Sequence, residues 1–443
     1  MATIAPFQGL LYNRKKAGTI KDLACPPYDI ISPAEQQELY RKSPYNVIRL
    51  EFGLTSPGDT EEDNRYTRAA AVLKDWSQNH ILEQGREPSF YVYEMEYKTE
   101  RADTLKLRGF ICLVRIEDYE SGVVKPHETT LSGPKTDRLN LLRSCKTSFS
   151  QIFSLFSDPA AKVAGILAKA SGQPEMELLH HDGVLHRLWP MSDPNDIAFI
   201  VREMSDKQIF IADGHHRYDT SLNYRNEQRK ATGSFTGEEC YNYVAMFLAR
   251  IEDPGLTILP AHRALFNLAD FNAQKFENDL NQYFNIERVD FDTQSEPTDL
   301  RAILEAMAHR ADRAHVFGMR IKGEHSYYLL TLRNEADMDA LLPGKSPAYR
   351  RLDVSILHHL IIDQLLGIKM ETHKLGLNIE YIKDAGEADK RVHDDAVEVV
   401  FFMNPTKVRE VQEVATAGER MPQKATYFYP KLLTGLVMHK LDK

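Results

Sequence analysis

The sequence has no long apolar run: its hydrophobic stretches are short and broken by charge, far from the roughly 18 consecutive apolar residues of a membrane span. That excludes a helical membrane protein. Cysteine is scarce, with Cys25, Cys112, Cys145 and Cys240 widely scattered and no Cys-x-x-Cys pair among them, which excludes a zinc ribbon or a redox dithiol. Each lies among apolar or small residues and reads as an inert thiol. There is no basic excess either. Fifty-five Lys and Arg face 64 Asp and Glu, for a formal charge of -9, and that balance speaks against nucleic acid as a partner. No internal repeat and no low-complexity tract occurs. Met1 to Gly9 lacks the basic and apolar regions of a secretory signal, so the cytoplasm is the expected location.

What is present belongs to an ordinary folded chain: 42% hydrophobic and 27% charged, with 23 Gly and 21 Pro in 443 residues. At roughly 150 residues per domain the length gives two or three lobes, and a boundary near residue 265 divides 1-265 from 266-443. Helical and strand periods alternate along the whole length. Residues 61 to 82 have helical spacing, whereas Phe90 to Tyr97 and Leu107 to Ile116 read as antiparallel strands joined around Arg101. Asn46 to Phe52 reads as a further strand. Lys207 to Ala212 is a short buried strand, and Tyr218 to Lys230 has the composition of a helix.

The sharpest chemical signal is Asp213-Gly214-His215-His216-Arg217, where a strand ends, glycine allows a tight turn and a helix begins. Amides at a helix start point outward as an anion site, and the Arg217 guanidinium reinforces it. Asp213 offers oxygen to a hard cation such as Mg2+, and His215 and His216 can donate to phosphate or carry a proton. The plain alternative is a capping turn with histidines satisfied by backbone. Against it stands the place of the cluster, since ligands of α/β sheets lie at the carboxyl ends of strands.

Lys125 to Thr130 contains His127 and Glu128 in a loop bounded by Pro126, a setting for a general base or for nothing more than a solvated turn. Gly133-Pro-Lys-Thr-Asp-Arg138 follows and reads as a loop whose Lys135 and Arg138 can clamp phosphate. It lacks the spacing of a P-loop. The tail from Met421 to Lys431 joins Lys424 and Lys431 to three aromatics; these either stack on a base beside a phosphate or pack as a final strand. The remaining histidines, His180-His181 with His186 and His358-His359, read as structural, because no His-Glu-x-x-His or comparable zinc pattern accompanies them.

Taken together, Cys25 to Ser32, Asn46 to Leu50, Pro126 to Glu128, Gly133 to Arg138, Asp213 to Arg217 and Met421 to Lys431 resemble a widespread bacterial family known only as a domain of unknown function. The Asp-Gly-His-His-Arg box is also similar to a motif of the ParB and sulfiredoxin superfamily, in which a strand, turn and helix hold nucleotide phosphates. That superfamily includes CTP-binding partition proteins, sulfiredoxin and free L-serine kinases. The resemblance implies an α/β, mixed-sheet fold: a ParB/sulfiredoxin-like nucleotide-binding core with insertions in 1-265, and a C-terminal α/β region, 266-443, completing the site. It implies that Asp213, Gly214, His215, His216 and Arg217 hold phosphate and Mg2+, and that Glu128 activates a substrate hydroxyl. Sulfiredoxin's catalytic cysteine is replaced here by His215, which speaks against sulfinic-acid reduction. The expected activity is a small-molecule kinase, with ATP or ADP as donor and free L-serine as first acceptor. Arg49 and His127 are the candidate substrate contacts. Two rivals share the same box: a non-catalytic nucleotide-binding regulator and a metal-dependent phosphohydrolase.

Overall fold

The computed structural model describes residues 2–99, 102–130, 132–291, 296–369, 378–393 and 397–442. The chain divides into two compact units. The first comprises Met1–Pro126, Thr130–Thr257 and Pro430–Lys443; the second comprises His127–Thr129 and Ile258–Tyr429. Each combines helices with a sheet, so the chain is α/β in class, as its alternating periods lead one to expect.

The first unit is built on a nine-stranded mixed sheet. Val124–Lys125, Ile209–Asp213, Ile152–Phe156, Tyr243–Arg250, Thr104–Arg115, Phe90–Lys98, Leu185–Met191 and Met176–Leu179 lie side by side in that order, and the ninth strand, Ile4–Ala5, pairs with Thr104–Arg115. Tyr243–Arg250 runs parallel to Ile152–Phe156 and antiparallel to Thr104–Arg115. Its sequence, YVAMFLAR, is buried at every position but the last, the unbroken apolar run of a strand covered on both faces. Phe90, Phe110, Ile152, Ile211, Tyr218 and Met246 meet in one core. Tyr218 brings the helix His215–Thr232 onto that core, which fixes the start of the helix against the end of the strand Ile209–Asp213.

The second unit holds a six-stranded sheet whose recorded pairings are all antiparallel. Its strands alternate between two cores. Leu265, Phe317, Leu330 and Phe401 pack with the helix Ile356–Leu365, while Ala264, Val316, Leu329 and Phe402 pack with Ile303 and Met307 of Glu296–Arg310. The period of two along each strand sorts residues to the two faces.

Two sequence expectations fail here. Asn46 to Phe52 is no strand; Ile48–Glu51 is a turn of helix. The Asn46 amide decides it, its oxygen accepting the Ile48 N–H at 2.9 Å and its nitrogen donating to the Asp22 carbonyl at 2.8 Å. A local side-chain bond of this kind offers the backbone an alternative to the sheet. Gly133 to Arg138 is no loop, because the helix Ser132–Cys145 includes it. Proline in a first turn loses no hydrogen bond, so the Gly-Pro pair marks a beginning rather than a break. The strands Leu185–Met191 and Phe284–Asp290 were not legible. The Arg101 turn lies outside the described residues, although the strands beside it pair antiparallel as expected. Among the described residues no helix is long and apolar enough to cross a membrane.

Candidate phosphate-binding site

Asp213 ends its strand and Gly214 turns the chain into an 18-residue helix. Gly214 has φ +98°, which L side chains rarely adopt. A Cβ there would also lie 2.8 Å from Nε of Arg217. The backbone angle favours glycine, and the close approach shows how tightly the Arg217 side chain folds back over the turn. Gly214 supplies no side-chain cap to the helix, whose amino end carries partial positive charge.

The Asp213 carboxylate is held by two cations. Arg217 Nη2 donates to its Oδ2 at 2.8 Å, and Lys431 Nζ donates to its Oδ1 at 2.9 Å. Arg217 also donates to the Gln151 carbonyl. Burial alone would raise the Asp213 pKa, but the Lys431 and Arg217 charges outweigh it and hold the carboxyl well below its usual range. This arrangement does not fit Mg2+ on Asp213. Both oxygens are taken, and a divalent ion would have to displace a lysine or an arginine from a site already positive. The expectation of Asp213 as metal ligand is corrected to one of a carboxylate that aims two cations.

Arg138 lies close by in the same unit. It is 5% exposed, and Arg138, Arg217, Glu51, Phe149, Ser150 and Thr220 line one hollow of about 360 Å³, counting its open mouth. Its Nε and Nη2 donate to Asp137 at 2.8 and 2.6 Å, and its Nη1 donates to the Glu51 carbonyl at 2.7 Å. The guanidinium covers the Tyr28 ring at 4.1 Å. Burial pulls its pKa down, but Glu51 and Asp137 pull harder and raise it. Asp137 also takes Arg65 and the Tyr66 hydroxyl. Lys135, three residues earlier on the helix, lies 3.5 Å from Asp219, which accepts from Tyr119 and Thr130.

The structure therefore gathers Asp213, Gly214, Arg217 and Lys431, and sets Arg138 on the same hollow as Arg217. His215 is buried and His216 half-buried at the start of the helix. Arg49 is engaged elsewhere, donating to the Tyr40 carbonyl at 2.8 Å with its guanidinium 4.4 Å from that ring. His127, Glu128 and Lys424 belong to the second unit. There, His127 Nε2 is 2.9 Å from Thr426 Oγ1, and the Lys424 N–H donates to Glu128 Oε1 at 3.2 Å. Phe428 is 1% exposed against the His127 ring, so this aromatic is core and does not stack on a base. Sequence reasoning missed Glu51, which is 3% exposed; a lone carboxylate in the apolar run Val47 to Phe52 was the available signal. Asp137, inside the Gly133 to Arg138 segment, is the second partner of Arg138 that its sequence setting does not mark.

Fold and site together define a mixed α/β protein with a paired-cation cluster where a strand meets a helix. The chain belongs to the family described as protein of unknown function (DUF1015), whose model matches residues 4–355. Lys431 lies outside that match. Among curated proteins none matches. Among solved structures, a mutant free serine kinase in complex with ADP is 13% identical at a TM-score of 0.33, covering 72% of this chain and 87% of that one. SbnI with a C-terminal truncation, from Staphylococcus aureus, is 13% identical at 0.34, with 74% and 86% covered. A conserved hypothetical protein from Pyrococcus furiosus is 12% identical at 0.31, with 72% and 90% covered. A likeness of this size is loose.

Proposed function

We propose that the chain is a nucleotide-dependent small-molecule kinase acting on an alcohol, with free L-serine as the first acceptor to test and ATP or ADP as donor. The observation that carries this reading is the pairing of Lys431 and Arg217 on one carboxylate at the amino end of a long helix. Phosphoryl transfer asks mainly for positioning and for charge neutralisation around the moving group. Arginine supplies a planar fork for phosphate oxygens and lysine a point charge. In this proposal a phosphate competes with Asp213 for those two donors, and Asp213 keeps them aimed when the ligand is gone. His215, His216, Lys135 and Arg138 are the further phosphate contacts proposed for the first unit, and Arg49 is the proposed clamp for the acceptor's carboxylate. From the second unit, Glu128 is the proposed proton acceptor, His127 a proposed substrate contact and Lys424 a proposed phosphate contact.

A second reading, a nucleotide-binding regulator without turnover, is favoured by one observation. In the first unit the carboxylates around the box, Asp213, Asp137, Glu51 and Asp219, already hold donors, which leaves none of these four as a ready base.

The experiment is a product screen by mass spectrometry: the full chain with MgCl2, ATP or ADP in turn, and L-serine within a panel of hydroxylated metabolites. The expected result is O-phosphoserine, with turnover reduced about 10²–10⁴-fold in Glu128→Gln while nucleotide binding persists. Saturable nucleotide binding without any phosphorylated product sinks the kinase and leaves the regulator. Inorganic phosphate released without an acceptor points instead to a phosphohydrolase.

A further inference from the structure

The hairpin between the strands Met176–Leu179 and Leu185–Met191 carries three side chains that the phosphate box does not use, His180, Asp182 and His186. One ligand-type atom of each lies within 4.8 Å of the other two. As a sequence the two histidines read as structural residues, but the structure leaves His186 without full employment. It is 2% exposed. Its Nδ1 lies 2.7 Å from the Tyr93 hydroxyl, while its Nε2 is buried and has no hydrogen-bond partner among the described residues. A buried polar atom left unpaired bears its full desolvation penalty, and such an atom in a native fold calls for an explanation.

The loop is shaped around the other two. The His180 N–H donates to the Val184 carbonyl at 2.9 Å, and the Gly183 N–H donates to the His180 carbonyl at 3.1 Å, closing a tight turn. Gly183 takes φ +82°, and the Val184 N–H donates to Asp182 Oδ1 at 3.1 Å. Nδ1 of His180 lies 3.0 Å from Asp182 Oδ1, yet the two are not aligned as donor and acceptor. The side chains of His180 and Asp182 are 14% and 41% exposed, so the cluster has a solvent side.

We propose that His180, Asp182 and His186 bind one divalent transition-metal ion of the Zn2+ type, with water as a fourth ligand. Two imidazoles and a carboxylate suit such ions, whereas Mg2+ prefers an octahedral shell of oxygens. Bonds of about 2.0–2.2 Å put tetrahedral ligand atoms roughly 3.4 Å apart. The side chains of His180 and Asp182 close that gap, while His186 is the fixed member. Its Nδ1–H donates to the Tyr93 oxygen in the ligating tautomer, leaving the Nε2 lone pair for the ion; an outer partner of this kind orients a metal-binding imidazole. Tyr93 stands on Phe90–Lys98, directly opposite Leu188 of Leu185–Met191. The ion therefore ties the turn of the edge hairpin to the next strand inward. The proposal is independent of the kinase reading.

The test uses the untagged full chain, stripped with chelator and titrated with ZnCl2 by calorimetry, then with CoCl2 by visible absorption. One equivalent is expected to bind, Co2+ giving the intense bands of a tetrahedral site, with excess Mg2+ unable to displace either ion. Asp182→Asn and His180→Ala, both on the solvent side, are each expected to weaken Zn2+ binding by about 10-fold or more with unchanged circular dichroism, and Tyr93→Phe by about 10–100-fold. Absence of uptake by the unaltered chain overturns the proposal. So does equal uptake by Asp182→Asn and His180→Ala, and so does displacement by Mg2+.

Discussion

Arg138 of the first unit and Arg263 of the second are both almost wholly buried, at 5% and 2% exposed, and their surroundings differ in kind. Arg138 is met by Asp137 and Glu51, which raise its pKa against the pull of burial. Among the described residues Arg263 has neutral partners, the carbonyls of Ala261 and Lys424 and the Tyr381 ring, and burial brings it down to about 10. Burying a charge costs several kcal/mol unless a countercharge and good hydrogen bonds answer it. The first unit meets that cost with carboxylates at Arg138, and again with Asp213 at Lys431 and Arg217. Cations held by exchangeable anions suit a site that takes an anionic ligand; a cation held by carbonyls suits a fixed strut.

The contrast breaks most visibly at Arg138. Arg138→Met leaves Glu51 and Asp137 without their shared cation, and it is expected to lower unfolding free energy by about 3–5 kcal/mol, read from urea midpoints. Adding Glu51→Leu is expected to recover part of that loss, and a double variant no better than the single one would show that the pair is not what Arg138 contributes. Next comes Lys431→Ala. Removing one charge-assisted contact is expected to weaken nucleotide binding about 10–100-fold, corresponding to about 1.5–3 kcal/mol, in a fluorescence titration; unchanged affinity would remove Lys431 from the site. Gly214→Ala is expected to cost about 1–2 kcal/mol of stability from its left-handed backbone and to weaken nucleotide binding as Arg217 is pushed aside.

The smallest effect sharpens the comparison through pH. His439 of the first unit and His262 of the second are each held down to about 4 by burial, aided at His262 by Arg263. The unfolded chain takes up a proton near the ordinary histidine pKa of about 6.5, while the folded chain refuses it until about pH 4. More protons on the unfolded side mean that stability falls as pH falls. Between pH 7 and 6 each histidine is expected to withdraw under about 1 kcal/mol. Urea midpoints of His439→Gln and His262→Gln should each show a shallower loss over that interval, and a slope that neither variant alters would contradict both assignments.

Much of the first unit was legible because its strands carry unbroken apolar runs and its box places Gly between a strand and a helix. Asp213, Gly214 and Arg217 could be found from five consecutive residues. The partners could not. Lys431 is separated from Asp213 by 218 positions, and no local period encodes such a meeting. Glu51 and Asp137 earned their roles only once Arg138 was seen buried between them. Asn46 misled for the opposite reason: its single amide redirected a β-rich run into a helical turn. His186 was passed over because its spacing matches no zinc pattern, while the relevant fact, an unpaired buried nitrogen, exists only after folding.

The return of Pro430–Lys443 to the first unit has a consequence for the order in which the protein is made. Thr434 bridges to Cys25 and Met438 to Leu10, so these amino-terminal segments must wait for partners synthesised much later. Asp213 leaves the ribosome well before Lys431; at about 5–20 residues per second, those 218 residues take roughly 10–40 s. Through that interval Arg217 is the nearer cation in sequence and Lys431 does not yet exist. A nascent chain halted before residue 430 holds the strand, the turn and the helix, but lacks the second charge. Synthesis of Lys431 is thus what completes the pair of cations on Asp213.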